Sequence, residues 1–169
     1  MAPGSAPRPG PPGRDRDELG RPRNARPRDA LGRPLPPGSH GVEPIPEDLD
    51  LEPAEALSRA QDLLDRGRAF NAHEVLEGSW KSCPPAEREL WHGITQLAVG
   101  ITHIQRGNAK GALTLLHRAQ ARLAGAVPLH RVDATGLATY ARTLIADLES
   151  GLAPGAIPAD RLKPRLQLP

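Results

Sequence analysis

The chain has 169 residues, of which 20 are Pro and 17 Gly, and its 25% charged side chains nearly cancel to a net charge of +2. That length allows one domain, or one small domain with tails, and excludes a large multidomain enzyme, a dinucleotide fold carrying a substrate domain, and a barrel. The single cysteine, Cys83, excludes an internal disulfide and any multi-cysteine metal site.

Residues 1–48 hold 12 of the 20 Pro and none of the four aromatic residues, Phe70, Trp80, Trp91 and Tyr140. Such a segment buries too little apolar surface to offset its conformational entropy, so a disordered Pro/Arg/Gly-rich tail is expected. Its eight Arg are set against seven acids, which makes a mixed tail and not a polybasic arm. Its first ten residues contain no apolar run, so no secretory signal is expected. No stretch reaches the roughly 18 apolar residues of a membrane span. A cytoplasmic chain without membrane contact is the default expectation.

From residue 49 the pattern becomes helical. The first helix is predicted at 53–66, with Pro53 at a first helical position, Glu55 in the first turn and Gly67 as the stop. Ala56, Leu57, Ala60, Leu63 and Leu64 give it one apolar face. The second is predicted at 69–82, ended by Pro84-Pro85. The third, at 86–106, exits at Gly107-Asn108, and the fourth, at 109–124, is broken by Gly125 and Pro128. The fifth, at 133–150, opens on Asp133 and closes at Gly151. No alternating β pattern of useful length occurs. The predicted fold is all-α: a compact bundle of about five antiparallel helices at 49–151, with a Pro-containing tail at 152–169.

Arg66-Gly67-Arg68-Ala69 aligns with Arg106-Gly107-Asn108-Ala109 at an offset of 40 residues, and Ala72 and Leu76 align with Ala112 and Leu116. This reads as a helix–turn–helix pair used twice, in the manner of tetratricopeptide-type units. Charge is also split. Residues 50–89 carry nine acids and five Lys/Arg, whereas 90–132 carry five Lys/Arg and no acid. The halves are expected to complement one another, because no aromatic interleaving or nucleic-acid motif accompanies the basic stretch.

On a helical wheel Ala69, Phe70, His73, Leu76, Glu77 and Trp80 share one face of the second helix. Were this face core, Glu77 would be desolvated and would need a partner. His92, Gln96 and His103 form a second stripe on the third helix, beside Gly93 and Gly100. His117 and His130 sit among Arg118 and Arg131 and read as solvated.

The run Phe70-Asn71-Ala72-His73-Glu74-Val75-Leu76-Glu77…Trp80, then Gly93-Ile94-Thr95-Gln96, His103 and Arg106-Gly107-Asn108…Gly111-Ala112, resembles the domain-of-unknown-function family 309. That family comprises small all-helical bacterial and archaeal proteins, and the resemblance spans about 67–124. It implies the helical fold, and it marks His73, Glu74, Glu77, Trp80, Gln96, His103, Asn108 and Gly111 as the positions to examine. Gly78 departs from the expected pattern, since glycine within a helix costs about 1 kcal/mol relative to alanine.

Three arrangements are open for these residues. His73, Glu74, Glu77, Gln96 and His103 can form a buried polar network that fixes helix register. His73, Glu77 and His103 can ligate a divalent metal such as zinc, since two His and one Glu with an open fourth position form a catalytic zinc arrangement. Glu77 and His73 can also serve as a metal-free acid–base pair. Trp80, Gly107, Asn108 and Gly111 are expected to act in packing and turns. No nucleophile, phosphate loop or cofactor motif accompanies the set. The expected function is a binding or interaction module with a protein partner on its helical surface; the alternative is a metal-dependent hydrolase-like activity at His73, Glu77 and His103.

Overall fold

The computed structural model describes residues 26–46 and 49–169. Five helices follow in order: α1 (Pro53–Asp65), α2 (Ala69–Ser82), α3 (Arg88–Gln105), α4 (Ala109–Gly125) and α5 (Ala134–Glu149). All five lie within two residues of their sequence-derived positions at each end. Among the described residues there are no strands, only isolated bridges, and no helix is long and apolar enough to cross a membrane.

The helix ends explain why the chain divides where it does. Gly67 and Gly107 both take a left-handed backbone, φ +72° and +73°. At the first turn Arg68 N–H bonds the Leu63 carbonyl and Gly67 N–H the Leu64 carbonyl; at the second, Asn108 N–H bonds His103 and Gly107 N–H bonds Ile104. Both are the same glycine-closed helix stop, which satisfies carbonyls the helix leaves open. The 40-residue similarity therefore has a structural counterpart at its turns. Gln105 Nε2 ties them together by donating to the Gly67 carbonyl at 2.9 Å.

Each helix packs chiefly on its neighbours in the chain, α1 on α2, α2 on α3, α3 on α4 and α4 on α5. α3 is central: Leu90, Trp91, Ile94, Leu97, Ile101 and Ile104 are all buried. Its approach to α4 depends on two glycines. A Cβ on Gly93 would stand 2.9 Å from Leu123 Cγ, and one on Gly100 would stand 2.9 Å from Leu116. Arg122 on α4 pairs with Glu89 on α3 at 2.6 Å, so acidic and basic halves of the sequence do meet within the fold.

Both flanking segments carry structure that composition conceals. The C-terminal segment is docked: Ile157, Leu162 and Leu166 are buried, and Gln61 holds it by donating to the Pro164 carbonyl and accepting from Leu166 N–H. Residues 26–46 lie inside the expected tail yet are folded against α2 and α3. Leu35 N–H bonds the Pro27 carbonyl and Val42 N–H bonds the Arg28 carbonyl, and Arg106 reaches across from the end of α3. Part of the segment expected as a tail is thus in contact with the helices. The rest of the expected tail, residues 1–25, 47 and 48, lies outside the described residues.

Candidate functional site

The core face of α2 is set by Ala69, Ala72, Val75 and Leu76. Phe70, His73, Glu77 and Trp80 lie on the margin of that face and are half-buried. Glu77 is consequently not a desolvated core acid. Its side chain is 37% exposed and pairs with Lys81 at 3.1 Å along the helix.

The residues expected to form one network divide into local arrangements. His73 Nδ1 donates to the Phe70 carbonyl one turn back. Asn71, 4% exposed, accepts from Arg68 Nε at 3.2 Å and donates to Glu74 Oε2 at 3.1 Å. Gln96 is turned toward α4, where it accepts from Arg122 Nε at 3.2 Å. His103 accepts at Nδ1 from the Asn108 side-chain amide, whose oxygen takes the Gly111 N–H at 2.9 Å and so caps α4. Among the described residues no three His, Cys, Asp or Glu side chains are placed to share a metal ion. The three-ligand arrangement of His73, Glu77 and His103 is therefore not what the helices assemble: His73 and His103 each have a ring nitrogen committed to a neighbour, and Glu77 turns to Lys81.

Electrostatics agree with this division. Burial holds the His73 imidazole below its ordinary pKa, and the guanidinium groups of Arg106 and Arg28 add to that, while the Phe70 carbonyl and Glu77 oppose it. Burial likewise lowers His103, assisted by Arg106. Both rings are thus held toward the neutral form, in opposite tautomers: a carbonyl can only accept, so His73 carries its proton on Nδ1, whereas the Asn108 amide donates to His103, which carries its proton on Nε2. Burial raises Glu74 above the usual carboxylate range, with the Asn71 amide opposing.

Trp80 stacks on His92 with ring centroids 4.1 Å apart and 17° between planes. Its indole N–H is buried without a partner among the described residues. Burial, followed by Arg122, lowers the His92 pKa.

The folded N-terminal segment completes the site. Asp29 braces a turn by accepting from Leu31 N–H, Arg33 N–H and Arg33 Nε at 2.7 to 2.9 Å. Burial pushes the Asp29 pKa up, but these bonds outweigh it and the net shift is downward. Gly32 closes the turn at φ +74° and lies flat against the Phe70 ring, where a Cβ would be 2.2 Å from the ring atoms. Arg28 and Arg106 stand 5.4 Å from the centroid of that ring. Arg28 Nη1 donates to the Gly32 carbonyl at 2.6 Å and Arg106 Nε to the Leu31 carbonyl at 2.8 Å. Between segment and helix lies a cleft of about 340 Å³, lined among others by Arg28, Asp29, Phe70, Asn71 and Glu74. A second, of about 240 Å³, runs from Glu74 to Glu77, Gly78 and Lys81 beneath Ile45 and Leu49.

The Arg28, Asp29 and Gly32 contributions escape a reading by composition. The available signal was Asp29-Ala30-Leu31-Gly32, an Asp followed three residues on by a Gly, which is turn chemistry embedded in a Pro-rich stretch. His130, read as solvated, is instead half-buried and bonds Glu87 at 2.7 Å.

Comparison with known proteins reaches the helical part of this site and not its N-terminal segment. An uncharacterized protein of Bacillus subtilis (strain 168), YpuF, is 46% identical over 48 residues, which is 28% of this chain and 28% of that protein. The matched stretch is thus well under a third of the relative's length. No solved structure matches significantly. Residues 57–115, from α1 into α4, match the family model of a domain of unknown function, DUF309, a stretch that contains α2, α3 and the turn into α4.

Proposed function

We propose that the chain is a binding module that takes a short peptide segment of a protein partner on the α2–α3 face. One observation carries this reading: that face already grips a turn of polypeptide by its backbone. Arg106 takes the Leu31 carbonyl, and Phe70 accepts a glycine flat on its ring. Side chains that read backbone carbonyls, with an aromatic platform selecting one residue type, are the working parts of a peptide groove. The gripping residues Phe70 and Arg106 lie within the DUF309 match, and the gripped residues lie outside it.

Glu74 opens on both clefts. It supplies an acceptor for a basic side chain flanking the bound glycine, whose charge would favour the ionised carboxylate.

The test is selection from a random peptide library on the purified full chain, with Phe70→Ala and Arg106→Ala as counter-selections. Enriched peptides with a fixed glycine, lost on both variants, support the reading. Absence of enrichment, or enrichment indifferent to both substitutions, overturns it.

A further inference from the structure

Resting on the peptide-groove reading, we infer that residues 26–35 are a ligand docked in cis: the chain occupies its own groove, and a partner peptide binds by displacing this strap. The partner segment then has the strap's chemistry, a turn closed by glycine, with a free backbone carbonyl just before the glycine and an arginine beside it.

Three features make the strap a separable ligand instead of a piece of the core. First, its internal bonds are its own. Asp29 accepts three donors from Leu31 and Arg33, Asp29 N–H bonds the Arg33 carbonyl and Gly32 N–H the Asp29 carbonyl. The turn therefore carries its shape without help from the helices. Second, none of its side chains belongs to the buried apolar core, which runs from Ala56 to Leu166. Removing the strap leaves that core intact. Third, the contacts described between strap and helices are peripheral to that core: glycine on Phe70, the Arg106 bond to Leu31, the guanidinium groups of Arg28 and Arg106 about the ring, and the charge of Arg28 beside Glu74. The Arg106 bond is exchangeable for an identical one from another chain, because every peptide offers the same carbonyl, and another arginine can take the place of Arg28 on the ring.

Tethering decides how strongly the strap competes. Residues 36–52 alone separate it from α1, and a short tether gives an effective concentration in roughly the millimolar range. An incoming peptide with the same intrinsic affinity is therefore weakened by the fraction of time the groove is open. The device keeps the groove closed to weak, chance peptides and opens it to a partner that adds contacts along Asn71 and Glu74.

Gly32 is the point of attack. Its positive φ and the absence of room for a Cβ exclude any side chain on two separate grounds. The experiment compares the full-length wild type, Gly32→Val and Asp29→Ala, the last as a second way to break the turn without touching the groove. Hydrogen exchange follows residues 26–35 and the core amides of α3. A synthetic peptide of residues 26–46 is titrated against each protein. Expected is loss of protection confined to the strap in both variants, with the peptide binding them at least tenfold more tightly than wild type. Adding Phe70→Ala to Gly32→Val should abolish that binding. Equal affinity for wild type and both variants overturns cis competition while leaving the peptide-groove reading standing. A strap that stays protected in both variants, or a released strap with no binding in trans, overturns the inference itself. The peptide-groove reading is then judged separately by the library selection.

Discussion

Asn108 donates its side-chain amide to Nδ1 of His103 at 3.1 Å while its amide oxygen caps α4 through the Gly111 N–H. One side chain thereby closes the turn between α3 and α4 from both sides. The cap explains the glycine as well, since a Cβ on Gly111 would lie 2.5 Å from Asn108 Nδ2 and 2.7 Å from His103 Nδ1. Asn108→Ala is expected to destabilise by about 1 kcal/mol, the usual cost of losing such a cap. Asn108→Asp, which keeps the acceptor and loses the donor, should cost less. Gly111→Ala should cost about 1–3 kcal/mol through steric conflict. Urea unfolding of the three variants checks the order.

Stability should fall as the medium is acidified through the histidine range. His73, His92 and His103 are all held below the ordinary imidazole value by burial, with arginines assisting. The unfolded chain therefore binds protons that the folded chain refuses. Their contribution is complete above the unfolded value of about 6.5 and is lost as pH drops below it toward the depressed folded values. Glu74 acts in the opposite sense. Its folded pKa is raised, so its contribution is present at low pH and lost as pH rises through the folded value. Unfolding free energies at pH 8, 7, 6 and 5 should decline. His103→Gln should flatten the decline, and Glu74→Gln should steepen it by stabilising the neutral-pH end.

Glycines in the helices should respond in opposite directions. Gly93→Ala and Gly100→Ala drive a Cβ to 2.9 Å from Leu123 and Leu116 at the α3–α4 contact, and each should cost about 1–3 kcal/mol. Gly78 sits mid-helix, and a Cβ placed there would meet only the Leu49 carbonyl, at 3.4 Å. Gly78→Ala should therefore be neutral or stabilising by up to about 1 kcal/mol. Thermal melts of the three single variants separate the two classes.

The helices were legible because their signals are local. Gly67 and Gly107 stop α1 and α3 through contacts within six residues, and Asp133 caps α5 through the Gly136 N–H. The candidate site was legible only in part. Wheel geometry put Phe70, His73, Glu77 and Trp80 together on α2, but it could not say that Ala69, Ala72, Val75 and Leu76 would take the core. Gln96 could be placed on a stripe with His103, yet its partner, Arg122, lies 26 residues on. The strap was hidden because composition averages over a window. Proline dominates residues 1–48, whereas the contacts that fold 26–35 depend on single residues: Asp29 bracing the turn, Gly32 meeting Phe70, and Leu31 meeting Arg106 across 75 positions.

Zinc should not stabilise the protein. His73, Glu77 and His103 have separate commitments to Phe70, Lys81 and Asn108. A melting temperature unchanged by one equivalent of zinc or by chelator is expected. A rise of several degrees that Glu77→Gln and His103→Ala each abolish would restore the three-ligand site.

Glu87 should prove more important to stability than its position in a short turn ahead of α3 implies. One carboxylate oxygen accepts from Trp91 Nε1 at 2.9 Å and from His130 Nε2 at 2.7 Å. These two bonds, His130 first, hold the acid below the usual carboxylate range. Trp91 is 1% exposed, so removing the acceptor strands a donor where water does not reach, at a cost of about 1–3 kcal/mol. His130 and Arg131 both adopt positive φ, 54° and 58°, a conformation that side-chain-bearing residues keep only when their surroundings enforce it. The enforcing contacts run to the C-terminal segment: Gln167 Nε2 donates to the His130 carbonyl, and Leu168 N–H to the Arg131 carbonyl. Glu87→Ala should therefore lower the melting temperature and raise hydrogen exchange at Leu168. Glu87→Gln, which keeps an acceptor for the indole, should recover most of the first effect. Equal melting temperatures for Glu87→Ala and wild type would show that neither bond contributes to stability.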